Sequence, residues 1–582
     1  MNILLVASAF NSLCQRVYAE LSDAGHRVGA VLARPGGEDA VRAAVRERRP
    51  DLVVAPMLRT ALPEDVWARH TCLVVHPGPP GDRGPSSLDW AIDSGAERWA
   101  VTVLRAEAGL DAGDIWASVP FDVPPVGKSA LYRGESGDAA VAAVLLAVER
   151  FAGGGHKPLS QKDPSVDVVW RDAFRQERRR IDWASDPTRT VLRKLRGGDS
   201  QPGVLDELCG VEFFLHGGCP EDELRGPAPG TGRGAVPGSL IATRAGAVCR
   251  ATVDGAVWIP ELRARRASGL PSPFRRPAAS VLADAVRAGL VPEDLVAGLP
   301  EVPAPLELPA HRRTWSDIRY RQRGPAGFLE FGFPGGAMST AQCRRLLTAY
   351  RWALTRPTSV LVLGSGRDFF SNGIHLGVIE AAVGPAEESW ANINAMNDLV
   401  EAVLRTTDRL VVAALGGNAA AGGVMLALAA DEVWCRGGVV LNPHYRRMGL
   451  YGSEYWTYSL PRRVGAEAAR RLMTEAVPVS AAAAVGMGLA DRLVPASPQG
   501  FGPEVHRLAA ELAGAPGLRA RVAAKEAVRH RDEAARPLAA YRSAELARMR
   551  RTFFDARAPY HALRSAFVRK AAGGPADPLA GP

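Results

Sequence analysis

This sequence has little lysine: of its 71 basic residues, only Lys128, Lys157, Lys162, Lys194, Lys525 and Lys570 are lysines. Arginines spread along the chain therefore carry the formal net charge of +9. They form no compact basic stripe with interleaved aromatics, which argues against nucleic acid as a partner. Paired cysteines are missing too. Cys14, Cys72, Cys209, Cys219, Cys249, Cys343 and Cys435 contain no C-x-x-C pair. An odd, unpatterned set argues against a disulfide framework and a zinc site, and points to a reducing compartment, the cytoplasm. No His/Cys/carboxylate cluster has ligand spacing, so no metal is expected. The first residues, Met1–Ala7, lack a basic lead and read as a strand rather than a signal peptide. One charge-free run, Leu410–Ala430, covers 21 residues, enough for a membrane span. Its four glycines and Asn418 interrupt it, so it reads as a buried strand, a glycine turn and a core helix, with no membrane contact.

What is present is the composition of a globular chain, 47% hydrophobic and 23% charged, which removes the disordered class. At 582 residues the chain exceeds a single core, and two to four domains are expected. The fold class is α/β. Residues 1–160 alternate short apolar strands (Ile3–Ala7, Leu52–Ala55, Leu73–Val75, Val101–Leu104) with helices over Leu13–Asp23 and Asp39–Arg48. That rhythm predicts a parallel sheet with helices on both faces and ligands at the carboxyl ends of its strands. Residues 166–265 predict a small β-barrel. A helix starts in Arg180–Pro187, with Asp or Ser available as its N-cap, and short strands Ser239–Thr243, Val248–Thr252 and Ala256–Ile259 are separated by glycine turns. Residues 266–313, rich in Pro, Arg and Ala, read as a linker. From 314 to 560 the β/α rhythm returns, with strands Phe328–Phe333, Val360–Leu363 and Leu410–Ala414 and an Arg-rich helical end.

Two segments in the first domain carry chemistry: Leu73–Gly84 (LVVHPGPPGDRG) and Leu110–Ile115 (LDAGDI). Acyl transfer through a tetrahedral intermediate needs an oxyanion partner and a group that manages the nucleophile's proton. His76 at a strand end fits the second need, with Asp111, 35 residues on, to orient the ring and balance its charge. Taken singly, each has an ordinary structural reading. Together, the His-Pro-Gly and Leu-Asp-Ala-Gly-Asp-Ile segments resemble the folate-dependent formyltransferases. Arg180–Trp183, Gln201–Gly203, Pro237–Ile241 and Asp254–Val257 resemble the small C-terminal barrel of the methionyl-tRNA formyltransferase group. The resemblance implies 10-formyltetrahydrofolate as formyl donor. The family's Asn two residues before the His is replaced here by Val74. That departure disfavours transfer to an amine and favours a thiol, which ionises near about 8.5 and is intrinsically nucleophilic.

Two further segments are Gly364–Ile374 (GSGRDFFSNGI) and Gly416–Gly423 (GGNAAAGG). Paired backbone N–H groups polarise a thioester carbonyl, and glycine allows close approach. Followed by Ala430–Val433, these segments resemble the oxyanion-hole segments of the enoyl-CoA hydratase/isomerase (crotonase) family, which places the hole amides at Ile374 and Gly422. The two hydratase glutamates are replaced by Met425 and, nearby, His444, so hydration is not expected. Glu454 stands among aromatics in Tyr451–Tyr458 (YGSEYWTY), where a carboxyl can be raised towards neutrality and act as acid or base, with Tyr445 as a partner. The bland alternative is a surface Glu beside a core aromatic stripe.

The order formyltransferase-like domain, barrel, linker and crotonase-like domain, with Asn442–Tyr445 (NPHY) and Tyr451–Trp456, resembles the HypX/HoxX family of hydrogenase maturation factors. The resemblance implies formyl transfer to coenzyme A, release of carbon monoxide from formyl-CoA for the iron of nickel–iron hydrogenase, and partners among the hydrogenase maturation proteins. Gln15, Arg16, Arg133 and Arg542 are candidates for binding coenzyme A, since arginine suits phosphate. A formyltransferase acting on an amine with a non-catalytic crotonase-like scaffold, and a non-enzymatic binding protein, remain open as alternatives.

Overall fold

The fold was obtained as a computed structural model that describes residues 1–224, 235–266, 272–309 and 311–570. Residues 225–234 of the expected barrel, and 267–271 and 310 of the expected linker, lie outside them.

The first sheet has six strands in the order Arg27–Leu32, Asn2–Ala7, Leu52–Met57, Cys72–His76, Arg98–Arg105, Ile115–Asp122. The first four are parallel. Arg98–Arg105 runs antiparallel to Cys72–His76 and to Ile115–Asp122, to which a short loop joins it. The strands are apolar on both faces. Ile3, Leu5, Leu52 and Val54 pack under the helices Ser12–Asp23 and Glu135–Gly153, while Leu4, Val6 and Val53 pack under Glu38–Arg48. His76 ends the Cys72–His76 strand, so the chain turns there across the sheet edge.

The middle of the chain forms two four-stranded antiparallel sheets around one core. The helix predicted near Arg180–Pro187 runs over Thr188–Gly198 with Pro187 at its N-cap and no side-chain cap of its own. Asp254, in the turn of a hairpin across the barrel, accepts the Thr188 N–H at 2.7 Å instead. Asp or Ser in 182–186 thus does not serve as cap; Asp182 and Asp186 bond within the preceding turn. Most of the stretch read as a linker is folded. Arg276–Pro277 pairs with Glu261–Leu262, and the helix Ala278–Arg287 buries Ala278, Val281, Leu282 and Ala285 in the barrel core. Their i, i+3, i+4 spacing, hidden among Pro and Arg, is the reason. The domain limits at 160 and 166 also shift. Val169–Trp170 pairs with Asp82–Arg83, so this segment belongs to the first domain.

The last third holds a second six-stranded sheet: Ile318–Arg323, Ala326–Phe331, Val360–Ser365, Leu410–Leu415, Glu432–Arg436, Arg492–Val494, parallel after the first hairpin. The charge-free run is the buried strand Leu410–Leu415 and the core helix Gly422–Leu428. Among the described residues no helix is long and apolar enough to cross a membrane. The helices Leu518–Ala535, Leu538–Phe554 and Pro559–Arg569 close this domain, carrying it past residue 560.

The halves meet through ion pairs. Arg133 grips Asp368 with Nε–Oδ1 2.5 Å and Nη2–Oδ2 2.6 Å and stacks on Phe369, 4.5 Å from its ring centre. Arg367 pairs with Glu135, and Asp138 lies between Arg16 and Arg436. The first domain therefore rests on the loop that leads into Ile374.

Candidate functional site

At the first site, His76 is flanked by two carboxylates. Its Nε2 lies 2.9 Å from Asp82 Oδ2, and its Nδ1 lies 3.4 Å from Asp111 Oδ2. The predicted pair is thus brought together from two loops. Asp111 adopts a left-handed φ of 52° and accepts the Gly84 N–H at 3.2 Å, while Gln161 donates to its carbonyl at 2.8 Å. Gly78 lies against the ring: a Cβ there would collide with His76 Nε2 and Asp82. Asp82 is a neighbour of His76 that sequence reasoning missed. Its signal was the Gly-Asp-Arg-Gly run six residues after His76. Burial alone would raise its carboxyl, but hydrogen bonds from His76, Ser87 and Arg171 outweigh that and hold it below the usual range. Val74 sits two residues before His76 on the same strand face, packed against the core cluster that contains Leu4, Val6 and Val53.

At the second site, a bridge between Ser371 and Ala419 holds the two glycine-rich segments together, and the Ala420 N–H donates to Ser371 O at 2.8 Å. Ala421 takes φ 46° and ψ −125°, which turns the Gly422 N–H outward at the start of the core helix. Among the described residues the N–H groups of Ile374 and Gly422 bond to no protein acceptor. Glu454 lies so close to Gly422 that a Cβ there would collide with its carboxylate. Glu454 Oε2 accepts Tyr445 OH at 2.8 Å and the Ser453 N–H at 3.1 Å, which leaves Oε1 towards the hole. Glu454 is 1% exposed, so the surface reading is excluded. Burial pushes its carboxyl up to about 8, the Tyr445 hydrogen bond opposes this, and the charge of Glu545 adds to it. Burial and Glu454 also push the Tyr445 phenol up. Met425 is sealed in the core. His444 turns Nδ1 to the Asn442 carbonyl at 2.9 Å, and burial pushes its ring down to about 4.

The four residues proposed for coenzyme A separate. Arg16 and Arg133 line a cavity at the domain junction with Phe369, Gly417 and Arg436, each already in an ion pair. Gln15 donates to the Phe10 carbonyl at 3.1 Å. Arg542 does not reach that cavity. It clamps the helix Pro385–Leu404 through Asp398 at 2.7 Å and Glu401 at 3.0 Å. A different cationic group gathers where barrel, first domain and C-terminus meet. Arg263 donates to Pro202 O at 2.9 Å, Arg275 pairs with Glu261 at 3.1 Å, and Arg569 reaches Ser272 O. Desolvation and the guanidiniums of Arg275, Arg59 and Arg263 push the Lys570 ammonium down to about 8. His216 is buried beside them with neither ring nitrogen hydrogen-bonded among the described residues. These residues are far apart in sequence, so no motif exposed them.

The chain is 45% identical over 573 residues to the hydrogenase maturation factor HoxX of Bradyrhizobium diazoefficiens, covering 98% of this chain and 95% of that protein. It belongs to the HoxX/HypX family of hydrogenase maturation factors. The crystal structure of HypX from Aquifex aeolicus in complex with tetrahydrofolic acid matches with TM-score 0.90 and 40% identity, covering 98% of this chain and 96% of that one. The formyl transferase C-terminal domain family matches residues 174–272, and the enoyl-CoA hydratase/isomerase family matches 338–568. A methionyl-tRNA formyltransferase of Variovorax paradoxus is 26% identical over 236 residues, 39% of this chain and 69% of that protein. The chain is thus an enzyme of the maturation-factor family, with a formyltransferase half and a crotonase-like half.

Proposed function

We propose that the chain makes carbon monoxide in two steps, formyl transfer from 10-formyltetrahydrofolate to coenzyme A and then decarbonylation of formyl-CoA, for the active site of nickel–iron hydrogenase. The tetrahydrofolate bound to the Aquifex aeolicus relative supports the donor. Coenzyme A supplies a thiol that carries the formyl group between sites. At the first site His76 takes the thiol proton and delivers it to the departing folate nitrogen. Asp82 and Asp111 balance the charge on the ring while it holds that proton.

At the second site the N–H groups of Ile374 and Gly422 hold the thioester oxygen. Glu454 Oε1 removes the formyl proton, the C–S bond breaks, and the same carboxyl returns the proton to sulfur, leaving carbon monoxide and the free thiol. Tyr445 keeps Glu454 Oε2 engaged, so that Oε1 remains the reacting oxygen. The observation that carries this reading is a buried carboxylate, raised towards neutrality, that lies against Gly422, whose amide, like that of Ile374, is unpaired among the described residues. Arg59, Arg263, Arg275 and Lys570 hold the phosphates of coenzyme A, because Glu261 is the one acidic partner paired with any of them among the described residues. Arg16 and Arg133, at the junction, flank the path of the thiol arm.

The test is carbon monoxide in the headspace, trapped by reduced haemoglobin, after mixing the protein with 10-formyltetrahydrofolate and coenzyme A. Gas that depends on coenzyme A supports the two-step reading. Tetrahydrofolate release with a formylated amine and no gas overturns it in favour of a simple transferase. Receipt of the gas by other maturation proteins, in the cytoplasm, is the corresponding partner expectation.

A further inference from the structure

Glu545 lies on the C-terminal helix Leu538–Phe554, 90 residues from Tyr455, and it is 0% exposed. No lysine, arginine or histidine pairs with it among the described residues. Its acceptors are instead filled by the start of the helix Trp456–Val464. The Tyr455 N–H donates to Oε2 at 2.9 Å, the Thr457 N–H to Oε1 at 2.9 Å, and Thr457 Oγ1 to Oε1 at 2.5 Å. That helix has nine residues and no side-chain cap of its own. A carboxylate from another helix therefore does the work of an N-cap, where unsatisfied N–H groups and the helix dipole both favour negative charge.

The cap holds an unusual turn. Glu454 and Tyr455 are consecutive non-glycine residues at φ 59° and 60°. Left-handed backbone is unfavourable for both and persists only where its surroundings enforce it. This turn is what aims Glu454 Oε1 at the hole. We infer that Glu545 is a positioning residue for carbon monoxide release: it caps the helix Trp456–Val464 from the C-terminal helix, locks the Glu454–Tyr455 turn, and sets a second negative charge behind the reacting carboxylate.

The inference rests on the proposed reading of the second site. The groups that face this turn from the elements packed on it are Tyr445, Cys343 on the helix Thr340–Leu354, Glu401 on the helix Pro385–Leu404, and Arg542. Arg542 and Arg405 neutralise Glu401, which leaves Glu545 as the uncompensated charge behind Glu454. Burial raises Glu545 itself to about 7. The active turn is thus assembled only when the C-terminal helices dock, which couples the second site to the end of the chain.

The test supplies formyl-CoA directly to the full chain and to Glu545→Gln, and follows carbon monoxide release against pH. Glutamine keeps the shape but removes the charge and one acceptor. The expected kcat falls by roughly tenfold to a hundredfold, the scale of a misplaced catalytic group, with KM within about twofold. The limb where kcat rises with pH moves to lower pH, because the charge that hinders Glu454 ionisation is gone. Transfer from formyl-folate to coenzyme A stays at the parental rate. Should Glu545→Gln fail to fold by circular dichroism, Glu545→Asp keeps the charge and shortens the reach, and should lower kcat without moving the limb. Parental kcat and limb in Glu545→Gln, or a loss confined to KM, overturn the inference alone. A parent chain that releases no carbon monoxide from formyl-CoA overturns the reading of the site as well.

Discussion

Asp82 and Glu454 are both buried carboxylates hydrogen-bonded to a ring side chain, at 2.9 Å from His76 and 2.8 Å from Tyr445, yet they are pushed in opposite directions. Asp82 collects His76, Ser87 and Arg171, so donors outweigh burial and the carboxylate stays ionised. Glu454 has Tyr445 and one backbone N–H, with Glu545 behind it in place of a cation. Burial wins there, and the group holds a proton near neutrality. The difference matches the two tasks. Under the proposed function the first half would need a fixed negative charge beside a histidine that shuttles protons. The second, under the same proposal, would need a carboxyl that takes a proton from carbon and gives it back to sulfur.

The sharpest way to break this comparison is to disable each half alone. His76→Ala should lower formyl-CoA formation by about 10³-fold or more while release from added formyl-CoA continues. Glu454→Gln should do the reverse, with formyl-CoA accumulating, as chromatography of the reaction mixture would read. Equal loss of both steps in either variant would remove the division of labour. Next in size is Gly422→Ala. Its Cβ meets the Glu454 carboxylate, so carbon monoxide release should fall by about 10². Unchanged release would mean that this amide is not part of the hole.

A pH series separates the two carboxylates by stability. The folded value of Glu454 lies above its unfolded one, so its stabilising contribution is complete below 4.5 and is lost as pH rises through about 8. Asp82 has the opposite sign: its contribution is present at neutral pH and is lost only as pH falls through the acid range. The melting temperature should therefore drop between pH 5 and 8 in the parent and less so in Glu454→Gln. A parallel drop in both would place the effect elsewhere. The smallest effect concerns phosphate binding. Lys570→Ala should weaken coenzyme A by roughly tenfold, about 1.5 kcal/mol for one charge-assisted contact. Arg542→Ala, spent on Asp398 and Glu401, should change affinity by no more than about threefold. Calorimetry that ranks them the other way would return the phosphates to Arg542.

Much of this was legible in order along the chain. His-Pro-Gly, Leu-Asp-Ala-Gly-Asp-Ile and the two glycine-rich segments are local patterns, because a tight turn or an exposed amide is demanded by neighbouring residues. Val74 and Met425 were legible as departures for the same reason. Asp82 lay in plain view inside its motif, yet only the geometry showed its contact with His76. The folding of the helix Ala278–Arg287 was obscured because Pro and Arg mask an apolar spacing that matters only once the barrel is there to receive it.

By itself the sequence determined the two α/β halves, the barrel between them, the histidine–aspartate pair and the two glycine-rich segments, all set by short-range pattern and strand-end placement. Tertiary structure alone decided which carboxylates are ionised, how Glu454 is aimed, that Glu545 and Asp254 cap helices far from them in sequence, and where cations crowd around Lys570. Those properties depend on burial and on charges brought close by folding. Electrostatic energy follows distance in space and local dielectric, neither of which spacing along a chain records.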